Sequence, residues 1–437
     1  MLRFGTDGVR GVALREITPS AVQYFARAAA RALRFPEVVV GHDPRESSPV
    51  LARAVIDGFR AEGVSVVDLG TAPTPAVAHA AAVRGSGAAV ITASHNPYTD
   101  NGLKFFGVGG LKLGDADEAA IQRGYEAFVA GDARFVEFYE PAPALSLAGY
   151  VAHVVASGVD VKTGLRVVVD CANGAMSNVA ADVFAALSID ATVYNASPSG
   201  TNINVGCGAA HAERLAELVL RHDCDLGIAF DGDGDRLIAA TPNGTIVDGD
   251  HIIAIAANDL RRRGLLTNDA VVVTVMSNLG FQRAMAASNI TVHRTPVGDR
   301  SVLIEMERSG AVLGGEQSGH IIHRGLATTG DGLLASVQLI GALSRSSATI
   351  GEAASAAMTS YPQVLINVRV SSNAKSIVDA CADVIAAVES QLGSDGRVLV
   401  RASGTEPLVR VMVEASDEVV AREAAQRIAD RASVVEG

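Results

Sequence analysis

Residues Leu226-Gly-Ile-Ala-Phe-Asp-Gly-Asp-Gly-Asp-Arg236 set a short apolar run directly against three alternating carboxylates. The run Leu226–Phe230 reads as a buried strand, because it is short, apolar and stopped by glycine-rich text. Asp231, Asp233 and Asp235 then repel one another unless a cation collects them. Gly232 and Gly234 let the chain fold tightly enough for the three sets of oxygens to converge. Oxygen-only ligands suit Mg²⁺, and three of them leave positions for a phosphate oxygen and water. An EF-hand is excluded, since further ligands and a closing Glu are missing. The competing reading is a solvated Asp-Gly turn, which the preceding strand weakens. Arg236 is open to three readings: a surface ion pair, a strut for the carboxylates, or a phosphate contact.

The same strand-into-polar-loop pattern recurs on either side. Ala88–Thr92 runs into Ser94-His95-Asn96-Pro97, and Ala311–Leu313 into Gly314-Gly-Glu-Gln-Ser-Gly-His320. Strands expected at Val38–Val40, Val64–Leu69, Arg166–Asp170 and Ala270–Met276 alternate with helices expected over Ser48–Phe59, Pro75–Ala82, Met176–Leu187 and Asp250–Arg263. Charged and Gly-rich text follows Pro97. Such alternation predicts an α/β chain of three units, each presenting a loop at a strand end where open sheets bind ligands. The last stretch differs: strands at Val364–Val370, Arg397–Val400 and Val409–Glu414 with helices over Ile377–Leu392 and Glu418–Ala432 make a smaller α+β domain. The expected domain extents are 1–149, 150–249, 250–362 and 363–437.

Composition narrows the function. The chain has 437 residues and a formal charge of −12, which argues against broad nucleic-acid binding but not against an anionic substrate in a locally basic pocket. Its four cysteines are scattered, without a CxxC pair, and indicate neither zinc nor a disulfide framework. No apolar stretch reaches membrane-spanning length, and MLRFGTDGVRG has no signal-peptide core. The cytoplasm is therefore the expected location, with no membrane partner.

Three loops carry further candidates. Ser94 is either a helix-capping hydroxyl or a nucleophile that carries a phosphoryl group with help from the carboxylate-bound metal. His95, its neighbour, would point away in an extended chain and is a poor base. Lys104, between Leu103 and Phe105, is either a surface amine or a half-buried proton carrier and positive clamp. Arg401-Ala-Ser403-Gly404-Thr405-Glu-Pro407, with Arg410 beyond it, offers charged and neutral donors for a dianion; the alternative is a capped hairpin. Glu316 and Ser318 pair an acceptor with a donor suited to sugar hydroxyls. His320 is either a satisfied structural histidine or an acid/base.

Taken with the opening Phe4-Gly-Thr-Asp-Gly-Val-Arg10-Gly11, these loops make the chain resemble the α-D-phosphohexomutase superfamily over essentially its whole length. The wordings Gly200-Thr-Asn-Ile-Asn204, Val275-Met-Ser-Asn-Leu-Gly280 and Thr295-Pro-Val-Gly-Asp-Arg300 resemble the branch that acts on glucosamine phosphates; Cys207-Gly-Ala-Ala-His211 departs slightly from it. The resemblance implies a heart-shaped protein, three related α/β domains plus a C-terminal domain around a central cleft. It implies Ser94 as phosphoserine, and Asp231, Asp233 and Asp235 binding one Mg²⁺ together with the Ser94 phosphate. Glu316 and Ser318 would read the sugar, while Arg401, Ser403, Gly404, Thr405 and Arg410 would hold the distal phosphate. Arg10, Lys104, Arg236 and His320 would supply positive charge or protons. The implied substrate is a phosphorylated amino sugar, with glucosamine 1,6-bisphosphate as intermediate and activator and a homodimer as the possible assembly. The alternatives are the same chemistry on glucose or mannose phosphates, or a non-catalytic phosphosugar-binding protein.

Overall fold

In the computed structural model every residue is described except Met1, Thr6, Asp7, Asp132, Ser372, Gly404, Thr405, Glu406 and Gly437. The β-branched runs become the inner strands of three sheets: Val38–Val40, Val167–Val169 and Val271–Val273 are all essentially inaccessible to solvent. Strands covered on both faces by helices can be continuously apolar, and these are.

The three sheets repeat one order. In the first, Ser65–Thr71, Glu37–His42 and Gly87–Ile91 lie parallel, Asp100–Gly107 runs antiparallel beside them, and Val9–Val12 follows. The second repeats it with Asp190–Tyr194, Arg166–Asp170 and Leu226–Phe230 parallel, then antiparallel Leu237–Ala240 and the short strand Ile246–Val247. The third has Thr291–Thr295, Ala270–Thr274 and Leu313–Gly315 parallel and Ile321–His323 antiparallel. An antiparallel fourth strand needs only a short connection. In each sheet that connection is the polar loop: residues 92–99, 231–236 and 316–320. These are three related α/β domains.

The chain divides into two compact units, Met1–Met276 with Ile290–Ala357, and Ser277–Asn289 with Met358–Gly437. The second is built on three antiparallel strands in the order Gln363–Arg369, Leu408–Ala415, Gly396–Ala402. Helices Ala374–Ala380, Ala382–Leu392 and Glu418–Glu436 accompany them.

Several elements differ from expectation. Met176–Leu187 is not one helix: a 3₁₀ turn, Ala175–Asn178, breaks at Val179 before Ala180–Ala186. Ile377–Leu392 is likewise split at Cys381. The charged text after Pro97 hides the strand Asp100–Gly107 and the helix Asp115–Ala130. That helix packs Tyr125 flat on Phe25, with ring centroids 3.8 Å apart. Arg401 and Ala402 end a strand rather than open a loop.

The helix Gly332–Ser346 is buried almost all round, as a sequence apolar on every face but for Ser336 and Gln338 before its last turn requires. Its N-cap, Asp331, accepts the Leu334 N–H at 2.9 Å and the Tyr150 hydroxyl at 2.8 Å. Burial raises the Asp331 pKa to about 6, although these two donors and the His153 charge oppose it. A carboxyl raised in the folded state stabilises it while protonated. The contribution is complete below the unfolded pKa near 4 and is lost as pH rises through about 6. Asp331→Asn keeps an acceptor and cannot titrate. Its stability relative to wild type should therefore improve by roughly 2–3 kcal/mol between pH 4 and pH 7. Thermal unfolding of both proteins across that range checks this, and parallel pH profiles would contradict it.

Candidate active site

Ser94 stands at the junction of the first two domains. It is buried, with a left-handed φ of 50°, and its hydroxyl donates to Asp231 Oδ2 at 2.6 Å. Glycine is needed at two places beneath this contact. A side chain at Gly232 would begin 2.6 Å from the Ser94 carbonyl, and Gly234 turns the loop at φ +75°. The carboxylates of Asp231, Asp233 and Asp235 converge, with one oxygen of each within 4.8 Å of the others.

Charge is packed densely around them. Lys104, brought in by the strand Asp100–Gly107, is buried and reaches Asp233 at 3.0 Å and Asp235 at 3.3 Å. The Thr74 hydroxyl donates to Asp233 at 2.7 Å. Arg236 and His320 face each other across a β-bridge that joins the second and third domains. Burial, together with Asp235 and Asp233, holds Asp231 well above the ordinary carboxylate range. Burial pushes Asp235 the same way, but Lys104 and His320 outweigh it and hold Asp235 well below that range. For His320, burial acts downward, yet Asp235 at 3.6 Å and Asp299 at 3.9 Å raise it to about 9.

These carboxylates fit a divalent cation. They supply oxygen ligands only, and Asp233 Oδ1 and Asp235 Oδ1 are buried without hydrogen-bond partners. Three buried acids of like sign repel one another, and a compact cation between them would relieve that repulsion alongside Lys104, Arg236 and His320.

A cavity of about 210 Å³ opens beside the cluster, lined by Arg10, His95, Asp235, Arg236, Asp299, Glu316 and His320 among others. Glu316 is held by the Gly298 N–H at 3.0 Å, whereas Ser318 is exposed at the tip of its turn. In the C-terminal unit, Arg401 and Arg410 are direct cross-strand partners, and Ser403 N–H closes the hairpin on Leu408. Burial and the neighbouring Arg410 charge lower the Arg401 pKa. Gly404 and Thr405 lie outside the described residues.

Sequence reasoning passed over several participants. His95 does not point away: the left-handed turn at Ser94 brings its Nδ1 to 3.4 Å from the Ser94 hydroxyl. Burial and the Arg236 and Arg10 charges hold that imidazole neutral, at about 4. Asp43 and Arg45, which the sequence did not single out, are both wholly buried and ion-paired at 2.8 Å. Arg45 also donates to the carbonyls of Ser94, Asn96, Pro97 and Asp100. Asp299 pairs with Lys112 at 2.6 Å. Only the wording around Asp299 gave any signal beforehand.

Such a site, a buried serine on a carboxylate triad at the loop ends of repeated α/β domains, finds its match in known proteins. Four domain models of the phosphoglucomutase/phosphomannomutase family match the chain: alpha/beta/alpha domain I at residues 1–129, domain II at 148–244, domain III at 248–361, and the C-terminal domain at 365–431. The chain belongs to this family, the phosphohexomutases, and is by class an isomerase. Within the family it groups with the phosphoglucosamine mutases. A relative of that name from Frankia casuarinae is 47% identical over 98% of this chain and 97% of its own. Another from Brevibacillus brevis is 44% identical over 98% of both. A solved structure of a family protein from Burkholderia thailandensis shares the fold, with a TM-score of 0.82 at 24% identity over 99% of this chain and 98% of that one.

The cation fit has a test that does not need turnover. Adding a divalent cation such as Mg²⁺ to chelator-treated protein should raise the midpoint of thermal unfolding. At tenfold over its Kd the gain is about 1.4 kcal/mol. Asp231→Asn and Asp233→Asn should lose most of that shift. An equal shift in all three proteins would remove the triad as the binding site.

Proposed function

We propose that the protein interconverts glucosamine 6-phosphate and glucosamine 1-phosphate, with Ser94 as the carrier of the phosphoryl group. The observation that supports this most is the 2.6 Å contact of the Ser94 hydroxyl with Asp231 inside a buried acidic triad. A hydroxyl so placed needs no adjacent base of the triad-protease kind, because a metal-assisted phosphoryl transfer is mainly positioning and charge neutralisation.

In the first half-reaction the bond between phosphorus and Ser94 Oγ breaks as a bond to O1 of the 6-phosphosugar forms, giving glucosamine 1,6-bisphosphate. In the second, the bisphosphate has turned over, the bond between phosphorus and O6 breaks, and the phosphoryl group returns to Oγ. Each half moves one proton from the attacking hydroxyl to the departing oxygen. His320 holds a proton at neutral pH and suits giving one, while Lys104, beside Asp233 and Asp235, is the second exchanging group. Mg²⁺ held by Asp231, Asp233, Asp235 and the Ser94 phosphate would neutralise charge on the group in transit. Arg10 and Arg236 line the same cavity and add positive charge. Glu316 and Ser318 meet sugar hydroxyls, and Arg401, Ser403, Gly404, Thr405 and Arg410 hold the phosphate that is not reacting. The cytoplasm is the proposed location; among the described residues no helix is long and apolar enough to cross a membrane.

Ser94→Ala should abolish turnover while leaving thermal unfolding close to wild type. Near-normal rates in a preparation free of contaminating mutase would remove Ser94 from the reaction.

The division of labour between loops is tested with three substrates, the 6-phosphates of glucosamine, glucose and mannose. Arg401→Ala deletes a charge-assisted donor worth roughly 1.5–3 kcal/mol, so kcat/KM should fall about tenfold to a hundredfold. The loss should be similar for all three, since they share the phosphate. Glu316→Gln and Ser318→Ala should instead change the ratios among sugars. The opposite pattern would reverse the two assignments.

A further inference from the structure

Gly200-Thr-Asn-Ile-Asn204 is given no part in the steps above, yet the structure gives its last residue a specific task. Asn204 is buried and left-handed, at φ +60°. Its side-chain amide donates to the Ser94 carbonyl at 2.9 Å and leans on the Asn96 carbonyl at 3.3 Å. Both neighbours are acceptors, so the NH₂ end must face them. From the other side Arg45 Nη2 reaches the same two carbonyls, at 2.8 and 2.9 Å.

Each half of this clamp is itself anchored. Asp43 fixes the Arg45 guanidinium, and it also accepts from the Thr92 hydroxyl, which in turn accepts the Ser94 N–H. Asn204 donates its own N–H to Ala172, and Gly200, at the start of its segment, accepts the Glu46 N–H at 2.9 Å. The first domain thus supplies one jaw and the second domain the other. A serine at positive φ is uncommon and costs energy unless its surroundings over-determine it. Two donors on its carbonyl do so, and the direction of that peptide sets where Oγ points.

We infer that Asn204 is a positioning residue for Ser94: with Arg45 it clamps the Ser94 and Asn96 carbonyls and so aims the phosphoryl-carrying oxygen at Asp231. The inference rests on Ser94 being the carrier. It ties the geometry of the first domain's nucleophile to the second domain, which also holds the carboxylates.

Asn204→Asp and Asn204→Gly both tolerate the left-handed backbone and both remove the donor. The test uses the full-length enzyme with Mg²⁺ and glucosamine 6-phosphate. It measures kcat, KM, inorganic phosphate released per sugar isomerised, and the calorimetric unfolding midpoint, with Ser94→Ala alongside. A misaimed oxygen should cut kcat about tenfold or more while KM stays within about threefold. Phosphate release per turnover should rise, because a loosened phosphoserine is open to water, and a purely structural role would not move that ratio. Wild-type kcat and an unchanged ratio in both variants would overturn the inference, as would a kcat loss accounted for by unfolded protein. If Ser94→Ala is inactive while the Asn204 variants are fully active, only the clamp fails. If Ser94→Ala turns over, the carrier reading itself fails.

Discussion

Three carboxylates that cannot tolerate one another alone are buried within 4.8 Å at the ends of Asp231, Asp233 and Asp235. Removing such groups from water is expensive unless opposite charge and hydrogen bonds replace the water. No single domain meets that demand. Lys104 and Thr74 come from the first domain, Arg236 from the second and His320 from the third. The charge balance of one six-residue loop therefore draws on all three α/β domains, and their packing carries Ser94 into the same place.

The repeated sheet order is what makes such convergence cheap to encode. Each domain places its polar loop where a central parallel strand hands over to an antiparallel neighbour. The loop emerges from the middle of the sheet and is braced on both sides by backbone pairing. Because the strands before the loops are buried on both faces, the loops begin from fixed points. The short bridge between Arg236 and His320, with the Leu237 N–H donating to Gly319, continues that bracing from one domain into the next.

Much of this was legible in the chain because it is local. An apolar run followed by alternating Asp and Gly fixes a strand end and a carboxylate cluster without any distant information, and the three loops could be ranked in the same way. What escaped was non-local or conformational. Lys104 is ambiguous by itself, since its burial depends on carboxylates 129 and 131 positions away. Asp43 and Arg45 carry the charge pattern of a surface turn, and only the carbonyls of a loop some fifty residues later make their burial affordable. An extended chain would point His95 away from Ser94, and the single positive φ at Ser94 defeats that. The broken helices at Val179 and Cys381 lack any glycine or proline at the break, so periodicity ran straight through them.

The C-terminal unit obeys the same electrostatic rule with the sign reversed. Arg401 and Arg410 are direct partners across two strands, and like charges opposite one another weaken a sheet. A sheet designed only for stability would place an acid at one of the two positions. The pairing leaves its mark on Arg401, whose pKa is lowered by burial and by the Arg410 charge. The folded chain therefore gathers like charges in two places, three acids in one unit and two arginines in the other. Under the proposed function, phosphate beside the arginines and a divalent cation at the triad would each relieve repulsion that folding had to tolerate. On that reading the affinity for phosphate and for metal is stored in the folded chain before either arrives, and preorganised charge of this kind also stabilises a phosphoryl group in transit.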